Sequence, residues 1–192
     1  MINYNLLRDF RVTSEAVSEP VDLSTAKKWL RIEFTQDDNL IQDIIRSVRM
    51  RLEKISGLSF GYKEMTALID VHEPNDLIEL PYGPVDDVVT VEERISVSTW
   101  DTLTESTETV IGDYELFGSW NSSLKLNNCG LFRFVYRGGF SELPDDLMSD
   151  MKVLIAWYYE NRGHVMKGEE NNSDQFPGEM TLNAYKYKRL VI

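Results

Sequence analysis

Apolar residues recur every three to four positions from Pro20 to Gly57, alternate with polar ones from about Gly61 to Phe140, and return to the helical step after Pro144. Leu23, Ala26 and Leu30 fall on one face of a short helix reaching about Arg31, with Asp22 or Ser24 placed to cap it and Trp29 beside the stripe. Thr35-Gln36-Asp37-Asp38 sets a hydroxyl three residues ahead of a carboxylate, a capping-box spacing whose acids also suit the positive end of a helix. Leu40, Ile41, Ile44, Ile45, Val48, Leu52 and Ile55 then predict a long amphipathic helix, with Gly57 as its left-handed stop. Such a helix needs tertiary partners, because the loss of backbone freedom offsets what its own stripe gains.

From Gly61 the period becomes two. Met65, Ala67, Ile69 and Val71 lie on one side of a strand, and further strands are expected at Leu77 to Leu80, Val88 to Glu92, Ile95 to Trp100, Tyr114 to Phe117, Leu124 to Leu126 and Leu131 to Arg137. The Thr-, Ser- and Glu-rich stretch Thr99 to Thr109 predicts an exposed hairpin or loop tip. Pro144, Asp145 and Asp146 open a third helix with Leu147, Met151, Leu154, Ile155 and Tyr158 on its stripe, ending near Gly163. The first nineteen residues predict a strand or strap ending at Pro20, and residues 164–179 a polar linker with Gly168, Pro177 and Gly178. The pattern as a whole is α+β: a small helical bundle of three main helices with an inserted antiparallel β region and extended N- and C-terminal arms.

Composition narrows the function classes. A chain of 192 residues with 42% hydrophobic and 11% aromatic residues suits one globular core rather than general disorder. No stretch approaches the roughly 18 apolar residues of a membrane span, and Met1 to Asn5 has no basic segment leading into an apolar run, so a soluble chain not exported by a signal peptide is expected. Cys129 is the single cysteine, which leaves no intramolecular disulfide and no multi-cysteine zinc site. The net charge of −12 opposes a nucleic-acid clamp, since affinity for phosphate backbones rests on Lys and Arg displacing counterions. The charge is uneven, because Met180 to Ile192 holds Lys186, Lys188 and Arg189 and no acid.

Little in the chain points to catalysis. The pairs Asp37/Asp38, Asp86/Asp87 and Asp145/Asp146 each stand at an expected helix start or tight turn, where capping explains them without general acid–base work. His72 and His164 have no second ligand or nucleophile near them in sequence, and Gly112 to Ser119 lacks the spacing and the lysine of a phosphate loop. Trp157 to Arg162 offers aromatic bulk and one long cation at a helix end, with Tyr158 expected in the core and the rest open. Tyr185-Lys186-Tyr187-Lys188-Arg189-Leu190-Val191-Ile192 alternates aromatic or apolar with basic residues. That suits either a strand added to the sheet edge of another chain or a strand of its own body.

Three segments taken together resemble the head-tail connector, or adaptor, proteins of long-tailed bacteriophages, over roughly Pro20 to Arg162. The first is Val21-Asp22-Leu23 with Lys27 and Leu30-Arg31-Ile32, followed by Gln36-Asp37-Asp38-Asn39-Leu40-Ile41 and Gly57. The second is the turn Leu80-Pro81-Tyr82-Gly83-Pro84-Val85, and the third runs from Tyr136-Arg137-Gly138-Gly139-Phe140 through Leu143-Pro144 to Tyr159-Glu160-Asn161-Arg162. Thr99 to Thr109 looks longer than the family's usual hairpin, and Lys125 to Gly130 has no clear counterpart. The resemblance implies a structural head-completion protein and not an enzyme, one that forms a ring of about twelve copies, takes no cofactor and binds no metal. The ring would sit under the portal protein at the capsid vertex, extend the DNA channel without sequence-specific binding, and receive a stopper or tail-completion protein below. No membrane is involved; synthesis would be in the host cytoplasm and the final place the virion. On this view residues 1–20 are an N-terminal arm, 21–163 the connector domain (helices 22–57 and 144–163, β insert 61–140), and 164–192 a linker and docking tail. Contact with the portal or a neighbouring subunit then falls to Tyr185, Lys186, Tyr187, Lys188, Arg189, Leu190 and Ile192. Alternatives left open are another head-tail ring (a stopper or tail terminator), a DNA-packaging accessory protein, and a small hydrolase using the acid pairs.

Overall fold

A computed structural model describes residues 6–15, 18–75, 77–105, 112–117 and 123–161. Its elements run β1 (Leu6–Ser14), α1 (Leu23–Leu30), α2 (Asp38–Ser56), β2 (Lys63–Val71), β3 (Leu77–Glu79), β4 (Val85–Arg94), β5 (Trp100–Thr102), β6 (Tyr114–Phe117), β7 (Ser123–Leu126), β8 (Gly130–Gly138) and α3 (Asp145–Glu160). The class is α+β as expected. The N-terminal segment is a strand: β1 pairs antiparallel with β2 and forms one edge of a five-stranded sheet ordered β1-β2-β8-β4-β5. A second sheet, ordered β3-β7-β6, has three strands.

Strand parity builds the β core. On β2 the inward set is Lys63, Met65, Ala67, Ile69 and Val71, and on β8 it is Phe132, Phe134, Tyr136 and Gly138. These meet Ile78, Leu80, Tyr114, Leu124 and Leu126 of the smaller sheet and its flanks, so the two sheets share one apolar core. A second, separate core joins the helices: Ala26 of α1, Ile41, Ile45, Val48 and Leu52 of α2, and Leu147, Met151, Leu154 and Ile155 of α3 close over Leu58, Phe60, Phe140 and Leu143.

Several local expectations change. The span Ile95 to Trp100, expected as a strand, is the turn between β4 and β5 up to Thr99, because Ile95 N–H and Ser96 N–H both donate to Thr99 O and reverse the chain. The capping box at Thr35 does not form; Asp37 is the N-cap of α2 without a side-chain cap bond. Its carboxylate instead accepts from Tyr159 Oη, while Asp38 accepts from Lys27 Nζ at 2.6 Å, so both acids tie α2 to its neighbours. Leu40 and Ile55 leave the buried stripe of α2, and Arg49 and Glu53 join it.

Asp22 caps α1, its carboxylate accepting from Thr25 N–H at 2.6 Å and from Ser24 Oγ at 3.0 Å. These bonds, the Thr25 backbone N–H first, hold the Asp22 carboxyl below its ordinary value. A folded-state value lowered this way adds stability above the unfolded value and loses it as pH falls through the folded one. Asp22→Ala is therefore expected to lose about 1 kcal/mol at neutral pH. In urea titrations the gap to wild type should close under acid; a gap independent of pH would refute the charged cap.

Candidate assembly interface

The second and third signature segments meet the residues just past Gly57, the end of the first, where the two cores join. Ser59 N–H donates to Gly83 O at 2.8 Å, Gly139 N–H to Pro84 O at 2.7 Å, and Phe140 N–H to Ser59 O at 3.1 Å. Tyr136 Oη caps the arrangement from the β core by donating to Pro81 O. Gly139 has φ +111°, and a Cβ there would lie 2.1 Å from Gly61 O; one at Gly138 would lie 2.4 Å from Pro84 O. Three backbones cross at van der Waals distance, which is why this spacing needs two consecutive glycines. The segments are a structural seam that sets the helical layer against the sheets.

A buried ionic cluster lies beside the seam. Glu53, 6% exposed, accepts from Lys63 Nζ at 2.8 Å with both oxygens, from Arg49 Nη1 at 3.0 Å, and from Phe60 N–H at 2.9 Å. Arg49 also donates to Glu19 at 2.7 and 3.2 Å. Burial alone would lower the Arg49 value, but the Glu19 hydrogen bond and the Glu53, Glu19 and Glu15 charges outweigh it and hold the guanidinium above its ordinary value. Pattern reading passed over this cluster. The signal existed in two places: 49 and 53 are four apart on the flank of the 45/48/52 stripe, and 63 shares the inward parity of 65, 67, 69 and 71.

Above the cluster opens a groove of about 640 Å³ between β1 and α2. Phe10, Val12, Met50 and Tyr82 supply its apolar wall, and Arg46 and Lys54 stand at α2. Phe10 stacks on Tyr82 with centroids 4.8 Å apart, which fixes the β1 side of the wall. The open face of the five-stranded sheet carries ion pairs instead: Arg8 with Asp70, Arg137 with Glu64 and Asp87, and Arg133 with Glu92, the last guanidinium also lying 3.9 Å over the Trp100 ring. Exposed pairs of this kind add little stability each, but they keep the face charged and unsuited to an apolar partner. The helical side exposes Trp29, Phe34, Val153 and Trp157.

The expected site residues divide clearly. Tyr185, Lys186, Tyr187, Lys188, Arg189, Leu190 and Ile192 lie outside the described residues, as do Arg162 and His164. The acid pairs stay apart: Asp37 and Asp38 bind Tyr159 and Lys27, Asp86 accepts from Tyr62 Oη at 3.0 Å, Asp87 faces Arg137, and Asp146 accepts from Leu147 N–H at the start of α3. Neither this groove nor the smaller cavity of about 320 Å³ beside Tyr62 draws carboxylates from two of these pairs. Among the described residues no group of three His, Cys, Asp or Glu could hold a metal ion, and no helix is long and apolar enough to cross a membrane. Tyr158 is partly buried against the helical core and its hydroxyl accepts from Arg51 Nη1 at 2.7 Å, while Trp157 stays exposed.

Residues 20–95 match the family described as phage gp6-like head-tail connector protein, so the resemblance drawn from the sequence holds over that stretch. No curated protein matches the chain. Among solved structures, the fold is similar to a chain in the neck of an empty gene transfer agent particle computed with C6 symmetry (TM-score 0.70, 13% identity, 95% of this chain and 97% of that one). It is also similar to a chain in the virion of the native gene transfer agent particle (0.71, 13%, 95% and 97%) and to one in the neck of the native particle computed with C12 symmetry (0.65, 14%, 95% and 97%). At these identities the likeness establishes the shared fold, which extends beyond the matched family segment to the Gly138-Gly139-Phe140 seam and α3.

Proposed function

We propose, from the match of residues 20–95 to the phage gp6-like head-tail connector family, that this chain is a structural virion protein joining head to tail. The observation that carries the reading is the fold shared over 95% of the chain with a subunit of a particle neck computed with C12 symmetry. About twelve copies would close into a ring at the portal vertex, lining the passage for DNA and receiving a stopper or tail-completion protein. The helices α1, α2 and α3 form the body into which the β region is inserted, and residues 164–192 serve as linker and docking tail. No catalysis is part of the role. The net charge of −12 suits a conduit, since acidic walls let a duplex slide where basic ones would hold it at many phosphates. The presence of α1 and α2 speaks against a stopper or tail-terminator ring, since such rings are typically β-barrel based.

In this reading the aromatic, basic and aliphatic residues Tyr185 to Leu190 and Ile192 grip the portal. Electron microscopy of the purified chain, alone and mixed with its portal, tests both halves. Rings of one fixed subunit number, seated on the portal by wild type and released from it when residues 185–192 are deleted, are the expected result. A monomer in both samples would overturn the function; rings that bind the portal equally well without those residues would overturn the tail's part in it.

A further inference from the structure

We propose that the tip of the β4–β5 hairpin of one copy docks into the β1–α2 groove of the next copy, an inference that rests on the ring reading above and specifies how its subunits touch. Val97 and Ile95 are 88% and 60% exposed, the most exposed large apolar residues among those described. The turn that carries them is nonetheless held in one shape. Ile95 N–H and Ser96 N–H donate to Thr99 O at 3.0 and 3.2 Å, and the Arg94 guanidinium donates to Ser96 O at 3.1 Å and to Val97 O at 3.2 Å. A preordered apolar tip loses little freedom on docking, which is the property of a contact element rather than of a slack loop.

Charge identifies the partner surface. Glu93 and Asp101 are directly opposite each other across β4 and β5, an unfavourable like-charge pair, and neither meets a cation among the described residues. The β1–α2 groove has an apolar wall of Val12, Met50 and the Phe10–Tyr82 stack; its acids Glu19 and Glu15 face Arg49 and Lys63 inside it, and Arg46 and Lys54 stand on its α2 side toward an acidic partner. Tip and groove cannot meet within one chain. β1 and β5 are the two edges of the five-stranded sheet, four strand spacings or roughly 19 Å apart. The tip also leaves the sheet at the end where β8 begins, near Phe132, whereas the groove lies at the end where β2 begins, near Lys63 and Met65. Two unlike, complementary patches at diagonal corners make a heterologous contact, the kind that closes rings.

The test uses the full chain carrying Cys129→Ser, since Cys129 is exposed. With Met50→Cys and Val97→Cys together, oxidation of assembled protein should give a ladder of covalent multimers, while either cysteine alone gives none beyond dimer. Val97→Glu should lower the ring fraction at least tenfold by mass photometry without moving the melting temperature. Arg46→Glu with Lys54→Glu should do the same, and adding Glu93→Lys with Asp101→Lys should restore rings. Wild type that never assembles, even with the portal, overturns this contact together with the ring. Rings that persist in Val97→Glu and give no ladder overturn the contact alone and leave the groove to another occupant, such as a terminal segment of the chain.

Discussion

Gly139→Ala is expected to lose roughly 3 kcal/mol or more, enough to lower the melting temperature of a chain this size by about 10 °C. Two terms add. The residue sits at φ +111°, where an L side chain is strained, and its Cβ would stand 2.1 Å from Gly61 O and 2.7 Å from Gly61 C. Both obstacles are backbone and cannot rotate away. Moving them breaks the seam's own bonds, Gly139 N–H to Pro84 O and Phe140 N–H to Ser59 O, each worth about 0.5–1.5 kcal/mol net. Gly57→Ala is the control, because at the left-handed end of α2, φ +73°, conformational strain of about 1–2 kcal/mol is the expected loss. Thermal and urea unfolding of both variants give the comparison. A Gly139→Ala protein within a few degrees of wild type would mean that the seam is slack and does not set the angle between helices and sheets.

The parts of this fold that were legible in the sequence are those with one clear period. The inward set Met65, Ala67, Ile69 and Val71 reads straight off β2, as do Leu147, Met151, Leu154 and Ile155 off α3, because each stripe buries against a single apolar surface. The β4–β5 turn was misread for a physical reason. Ile95 and Val97 alternate with Ser96 and Ser98 as a strand would, yet their side chains are exposed, so the alternation reports an apolar tip and not a buried face. The Asp37/Asp38 start failed as a capping box because tertiary partners, Tyr159 and Lys27, take the carboxylates that local capping would use.

Of the candidate interface, the sequence revealed ingredients but not places. The seam motifs Leu80 to Val85 and Gly138-Gly139-Phe140 stood out as a family signature without showing that they touch, since their meeting depends on contacts more than 50 residues apart, such as Tyr136 Oη to Pro81 O. The groove depends on β1 lying beside β2, which no local pattern in residues 6–14 specifies. Long-range pairing of this kind is what one-dimensional periodicity leaves out.

Glu53→Ala is expected to lose roughly 3–5 kcal/mol, whereas Glu53→Met with Lys63→Met should recover most of that loss. The single change leaves Lys63, 6% exposed, and one arm of Arg49 without their buried carboxylate, and it orphans Phe60 N–H as well. A buried ammonium left with only the exposed Glu15 carboxylate, 3.9 Å away, is far less stable than no charge at all. Replacing both partners by methionine removes the desolvated pair and fills its volume, while Arg49 keeps Glu19 at 2.7 Å. Glu53→Met alone, Lys63→Met alone, the double variant and wild type form a cycle whose coupling energy isolates the pair. If the double variant is as unstable as the two single losses summed, the cluster acts by shape and hydrogen bonding, and charge compensation is not what holds the helical and β cores together.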